Sequence, residues 1–153
     1  MDVRKISAIA IFIALSAEGA MIKIPSPIGS IALDSFPALL AAVILGPVSG
    51  AIVAGLGHII SAFIGGMTLG PFHFLIMVEM AVLTWMFSIL YINGKKVGAF
   101  FLFFISNAFV LALPFAFLIS PGFYTLLVPG LTVATAVNVV LAVLLLPRLG
   151  PVL

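Results

Sequence analysis

The chain has 153 residues, 65% of them apolar or aromatic and 7% charged, with six Lys and Arg against four Asp and Glu for a net charge of +2. Water-soluble domains average about 45–50% apolar and about 25% charged residues, and a globule this small could not hide the excess. The composition excludes a soluble domain, a disordered chain and a nucleic-acid surface. With no cysteine it also excludes disulfides and thiolate metal sites. It predicts an all-α integral membrane protein, with residues 1–153 as a single transmembrane domain.

Long unbroken apolar runs, in place of the alternation of a membrane β-barrel, predict helical spans. Asp2, Arg4 and Lys5 precede the first run. No small-residue cleavage site and polar mature region follow it, so a retained helix is expected over 6–23. Residues 24–34 carry Pro25 and Pro27, which favour extended backbone; a connection this long suits a lid. Helices are expected over 32–46 and 48–65, separated by Gly46-Pro47. Another follows over 71–92, after Gly65-Gly66 and Gly70-Pro71. Residues 97–147 are 51 positions without Asp, Glu, Lys or Arg. That is too long for one crossing, and Ser120-Pro121-Gly122 divides it into helices 97–119 and 123–147.

The second helix is short for a hydrocarbon core of about 30 Å. Charge parity keeps it. With six spans, Arg4, Lys5, Lys95, Lys96 and Arg148 share one face and Lys23 alone lies opposite; with five, the clusters split. The positive-inside rule then predicts a six-helix transmembrane bundle, multi-pass in the cell membrane, with cytoplasmic N- and C-termini.

An ionisable group inside a membrane is costly and marks a candidate site. Glu18, Asp34, His58, His73 and Glu79 all fall in the outer half of their helices, which suggests a cavity opening outward. Glu79 is deepest, about 12 Å inside its helix, with no cation near it in sequence. Phe72 lies two turns before it, on the same face. An aromatic plane beside a carboxylate suits a flat heterocycle with an N–H or hydroxyl. Thr132, Thr135 and Asn138 occupy one broad side of the last helix. Asn107 and Asn138 are expected to tie helices together in the inner half, and Glu18 to pair with Lys23.

No catalytic constellation emerges. His58 and Ser61 are three apart, a spacing common by chance. His58 and His73 belong to different helices with no His-Glu-x-x-His pattern, so no metal site is expected. The phosphate-binding Gly-Lys-Ser/Thr loop is missing. Helix one aligns Ser7, Ala10, Ala14 and Ala17, and Ala10-x-x-x-Ala14 lets another helix approach closely. Packing within the bundle is the commoner use of such a face; docking of a partner subunit is the alternative.

The stretch Ala32-Leu33-Asp34-Ser35-Phe36-Pro37-Ala38-Leu39-Leu40-Ala41-Ala42, then Leu45-Gly46-Pro47, Gly50 and Gly55-Leu56-Gly57-His58, resembles the substrate-binding S components of energy-coupling factor (ECF) vitamin transporters. The resemblance extends over nearly the whole chain. Gly70-Pro71-Phe72-His73 with Glu79-Met80-Ala81 is similar to the branch that takes α-ribazole, the nucleoside of the lower ligand of cobalamin. The resemblance implies a non-enzymatic, high-affinity capture subunit of an ECF-type ABC importer. It would work with a T component and two ATPases, which use the ATP, and need no cofactor of its own. Ala10 and Ala14 would contact the T component, and segments 24–34 and 66–71 would gate the pocket. Asp34, His58, Phe72, His73, Glu79 and Thr132 are the candidate substrate contacts. The alternatives are an S component for riboflavin, pantothenate, a pyrimidine precursor or another vitamin, an intramembrane enzyme using Glu79 and a histidine, and a ligand-free bundle.

Overall fold

Each of the six apolar segments is helical in the computed structural model, which describes residues 2–25 and 30–149, with the side chains of 23–25 and 30–32 excepted. Helix α1 is Val3–Gly19, followed by strands β1 (Lys23–Pro25) and β2 (Ser30–Ala32), then α2 (Phe36–Ile44), α3 (Pro47–Ile64) and α4 (Phe72–Ile92). The fifth segment is α5 (Lys96–Ile105), a π-helical turn (Ser106–Val110) and α6 (Leu113–Leu118); α7 (Pro121–Leu149) is last. Among the described residues, α3, α4, the α5–α6 segment and α7 are long and apolar enough to cross a membrane.

The first two helices depart from the expected boundaries. Helix α1 stops at Gly19, whose carbonyl accepts the Leu33 N–H at 3.2 Å. The chain beyond it forms an antiparallel ribbon in which Lys23 pairs with Ala32 and Pro25 with Ser30. The expected lid thus has strand pairing at its base, and its residues 26–29 lie outside the described residues. Because 30–32 are spent in the ribbon, α2 begins only at Phe36, with Pro37 in its first turn, where a missing N–H costs nothing. Its nine residues span about 14 Å, less than half a bilayer core.

Short as it is, α2 is the centre of the molecule. Ala38, Leu39, Leu40, Ala41 and Ala42 are buried between α1, α3, α4 and α7. A helix apolar on every side must be covered on every side. Gly46 turns the chain out of α2 at φ 90°, a conformation that costs other residues a steric clash, and Pro47 starts α3. Gly50 then lies directly on Ala42, where a Cβ would overlap that residue's backbone. The α2–α3 pair is held from a third side by the Ser88 hydroxyl of α4, which donates to the Ala42 carbonyl at 2.5 Å.

The N-terminus of α2 is capped from another part of the chain. Helix starts leave free N–H groups, and neither Ser35 nor any near neighbour supplies a side-chain cap. The Asn138 side chain of α7 does so, its Oδ1 accepting from Ser35 N at 3.0 Å and Phe36 N at 2.8 Å. At the opposite end of the bundle Phe87 and Phe103 are fully buried, edge to face at 6.0 Å, and fasten α4 to α5. The outside of the bundle is apolar: Phe101 is 67% and Phe117 88% exposed, as lipid-facing side chains require.

Candidate functional site

A cavity of about 160 Å³ opens at one end of the bundle, among the ends of α1, α3 and α6 and the starts of α2, α4 and α7. Arg4, Lys5, Lys95, Lys96 and Arg148 sit at the opposite ends of their helices.

One wall is polar. Asp34 and Ser35, on the connection from β2 into α2, face His58 and Ser61 of α3, Thr68 of the α3–α4 connection and His73 of α4. The Ser35 hydroxyl donates to Asp34 Oδ1 at 3.1 Å. The His58 and His73 rings meet with Nε2 and Nδ1 3.2 Å apart, and the backbone N–H of Leu69 donates to His73 Nε2 at 3.4 Å. The rest of the lining is apolar: Ile76 and Met80, which continue the His73 face of α4, Leu111 and Phe115 of the fifth segment, and Phe123, Leu127 and Leu131 of α7.

Asn107, Thr135 and Asn138 also line the cavity, at its inner end. The Asn107 amide donates to the Thr135 hydroxyl at 2.8 Å, and that hydroxyl donates to the Leu131 carbonyl at 2.7 Å. Asn138 Nδ2 donates to the Ala134 carbonyl at 2.9 Å while its oxygen caps α2. An unpartnered buried polar atom costs about 1–3 kcal/mol; these bonds avoid that cost and join α2, the π-helical turn and α7 into one floor.

The sequence candidates separate into two groups. Asp34, His58 and His73 come together on the polar wall. Phe72 stands behind the lining, its ring edge to face with Phe115 at 5.8 Å. Thr132 turns back on its own helix and donates to the Val128 carbonyl at 2.8 Å, while Leu131 and Thr135 on either side reach the cavity. Glu79 lies in a second, shallower groove between α4 and the π-helical turn, with Val78, Val82, Met86, Ser106 and Val110 around it, and its Oε2 is buried without a partner.

Helical phase explains the separation on α4. The cavity face runs His73, Ile76, Met80, the spacing of one helical stripe. At about 100° per residue, Glu79 lies about 90° away from the middle of that stripe. Phe72 and Glu79 share one face of α4, and the cavity takes the neighbouring face, that of His73, Ile76 and Met80. Ser61 and Thr68 carried no periodic signal that set them apart. Asn107 and Asn138 make interhelical bonds, as their residue type implies, and line the cavity as well.

Ala10 and Ala14 are exposed, because α1 packs inward through Ile9, Ser16 and Gly19. The small-residue face therefore points out of the bundle. Glu18 is exposed, and the Lys23 side chain expected to pair with it is outside the described residues. No group of three metal-ligating side chains occurs among the described residues.

A family model described as "ECF transporter, substrate-specific component" matches residues 4–150. The solved structure of the S component of a bacterial ECF transporter superposes with a TM-score of 0.71 over 97% of this chain and 96% of that one, at 17% identity. At that identity the likeness is one of fold. No curated protein sequence matches.

Proposed function

The chain belongs to the substrate-specific components of ECF transporters, and from that premise we propose that it captures α-ribazole from outside the cell in the cavity between Asp34, His58 and Phe115. As a substrate-specific component it is a multi-pass membrane binding subunit of a transporter and not an enzyme. The observation that carries the reading is the mixed lining of the cavity. Its apolar residues Ile76, Met80, Leu111, Phe115 and Phe123 suit a flat benzimidazole, and its polar residues Asp34, His58 and Ser61 suit ribose hydroxyls.

The placement of the basic residues supports an outward-facing cavity. With Arg4, Lys5, Lys95, Lys96 and Arg148 on the cytoplasmic side, the cavity mouth faces outside and both termini face the cytoplasm. In this reading α1 to α7 make six membrane segments in the cell membrane, α2 completing its passage together with the connections beside it. The β1–β2 ribbon and the α3–α4 connection border the mouth and act as its gates. Release into the cell requires a T component and two ATPases, which hydrolyse the ATP. The exposed Ala10–Ala14 face of α1 offers that T component a close approach.

The test is thermal unfolding of the purified protein against a panel of α-ribazole, riboflavin, pantothenate and pyrimidine precursors. Ligand at 100-fold over its dissociation constant stabilises by about 2.7 kcal/mol. α-Ribazole is expected to raise the melting temperature more than any other compound. A clear shift with another vitamin and none with α-ribazole removes the substrate assignment while leaving the capture role.

A further inference from the structure

We propose that His73 is a positioning residue that sets the proton of His58, and that the polar wall in consequence selects a neutral group which both accepts and donates a hydrogen bond, a hydroxyl or a lactam-type N–H–C=O. The proposal rests on the reading of the cavity as the substrate site.

The inference follows from proton counting along one chain of contacts. The Leu69 N–H is a backbone donor and cannot accept, so His73 Nε2, 3.4 Å from it, presents a lone pair. The neutral His73 ring then carries its hydrogen on Nδ1. That atom lies 3.2 Å from His58 Nε2, and two N–H groups cannot face one another. His58 Nε2 therefore accepts, and His58 carries its own hydrogen on Nδ1. A backbone amide in the α3–α4 connection thus fixes the tautomer of two rings in succession. It also disfavours a metal bridging the rings, because metal on His73 Nδ1 would force a hydrogen onto Nε2, against the Leu69 N–H.

The result is a wall with a fixed polarity. His58 can only donate through Nδ1. Asp34 and His58 line the same polar wall, and no direct hydrogen bond joins the two among the described residues. Ser35 occupies one Asp34 oxygen, which leaves Oδ2 to accept. A ligand group between them must therefore accept from His58 and donate to Asp34. A hydroxyl does both with one atom and an N–H–C=O pair does both with two. A carboxylate can accept from His58 but only repels Asp34, and an ammonium satisfies Asp34 but not His58.

The full chain contains two histidines, which makes the tautomers directly readable. In ligand-free, 15N-histidine-labelled protein in lipid nanodiscs, both rings are expected to show a protonated Nδ1 and an unprotonated Nε2, the reverse of the form favoured by free histidine. His58 carrying its hydrogen on Nε2 overturns the proposal whatever the ligand proves to be. In His73→Leu, His58 is expected to revert and affinity for α-ribazole to fall about tenfold. His73→Asn places an amide N–H where the Nδ1–H stood and is expected to restore both the tautomer and the affinity to within about threefold of the wild type. Unchanged affinity in a folded His73→Leu protein, or no rescue by Asn, overturns the positioning role. The N1-methylated benzimidazole base, which has neither the hydroxyls nor a ring N–H, is expected to bind at least about a hundredfold more weakly than the nucleoside; equal binding overturns the selected group. Failure of wild-type protein to bind α-ribazole counts against the substrate reading alone, because the tautomer measurement needs no ligand.

Discussion

Replacing Asn138 with Ala removes the cap of a helix that is more than a hundred residues away in sequence, and its effect follows from the geometry. Oδ1 accepts two N–H groups, Ser35 N at 3.0 Å and Phe36 N at 2.8 Å, and Nδ2 donates to the Ala134 carbonyl. Asn138 is 2% exposed, so bulk solvent cannot replace it fully. Each orphaned buried N–H costs about 1–3 kcal/mol. Ser35 borders the cavity, where water relieves part of its share, which leaves about 2–4 kcal/mol for the pair. A lost helix cap elsewhere costs about 0.5–2 kcal/mol, in keeping with two donors sharing this one. For a chain of this size that is a fall in melting temperature of roughly 5–15 °C, read by intrinsic fluorescence of detergent-solubilised protein. A fall of under about 2 °C in the Ala variant would refute the claim that α2 is anchored through this side chain.

Glu79→Gln is expected to leave ligand affinity within about twofold of wild type, since Glu79 lies in the outer groove and not in the cavity; a loss of tenfold or more, about 1.4 kcal/mol, measured by titration, would bring the carboxylate into the site. Ala14→Leu is expected to leave the stability and ligand affinity of the isolated protein unchanged, because Ala14 is exposed, while copurification of a T component and cellular uptake fall sharply. Parallel loss of stability by about 1–3 kcal/mol would instead indicate strain within the bundle. Gly50→Val is expected to destabilise by at least that amount, because a Cβ there overlaps Ala42; a normal melting temperature would mean that α2 and α3 are not in close contact.

Composition and the Gly-Pro punctuation were sufficient to show that the apolar runs are helical and where turns divide them, because both are local signals. The ends of α1 and α2 were not legible. Residues 30–32 read as the start of an apolar helix, and only pairing with Lys23–Pro25 converts them into a strand. Nothing local tells Asn138 that its partners are the N–H groups of Ser35 and Phe36. The candidate site was legible in part: Asp34, His58 and His73 were found from the cost of placing ionisable groups in a membrane. That same cost singled out Glu79, which the phase of α4 directs elsewhere. Burial cost identifies a residue that needs a reason, and only the packing of neighbouring helices says which cavity supplies it. The Ala10–Ala14 face shows the complementary limit, since small residues at helical spacing look alike whether they pack inside a bundle or await a partner.

The most direct test of the cavity as the capture site is native mass spectrometry with α-ribazole on wild-type protein and on Ala134→Phe. Ala134 is 2% exposed and lines the cavity, so a phenyl ring there fills ligand space from the α7 side. Wild-type protein is expected to carry one ligand per chain, and the variant, shown to be folded by its melting curve, none. A folded variant that retains stoichiometric ligand would contradict the assignment of this cavity as the place of capture.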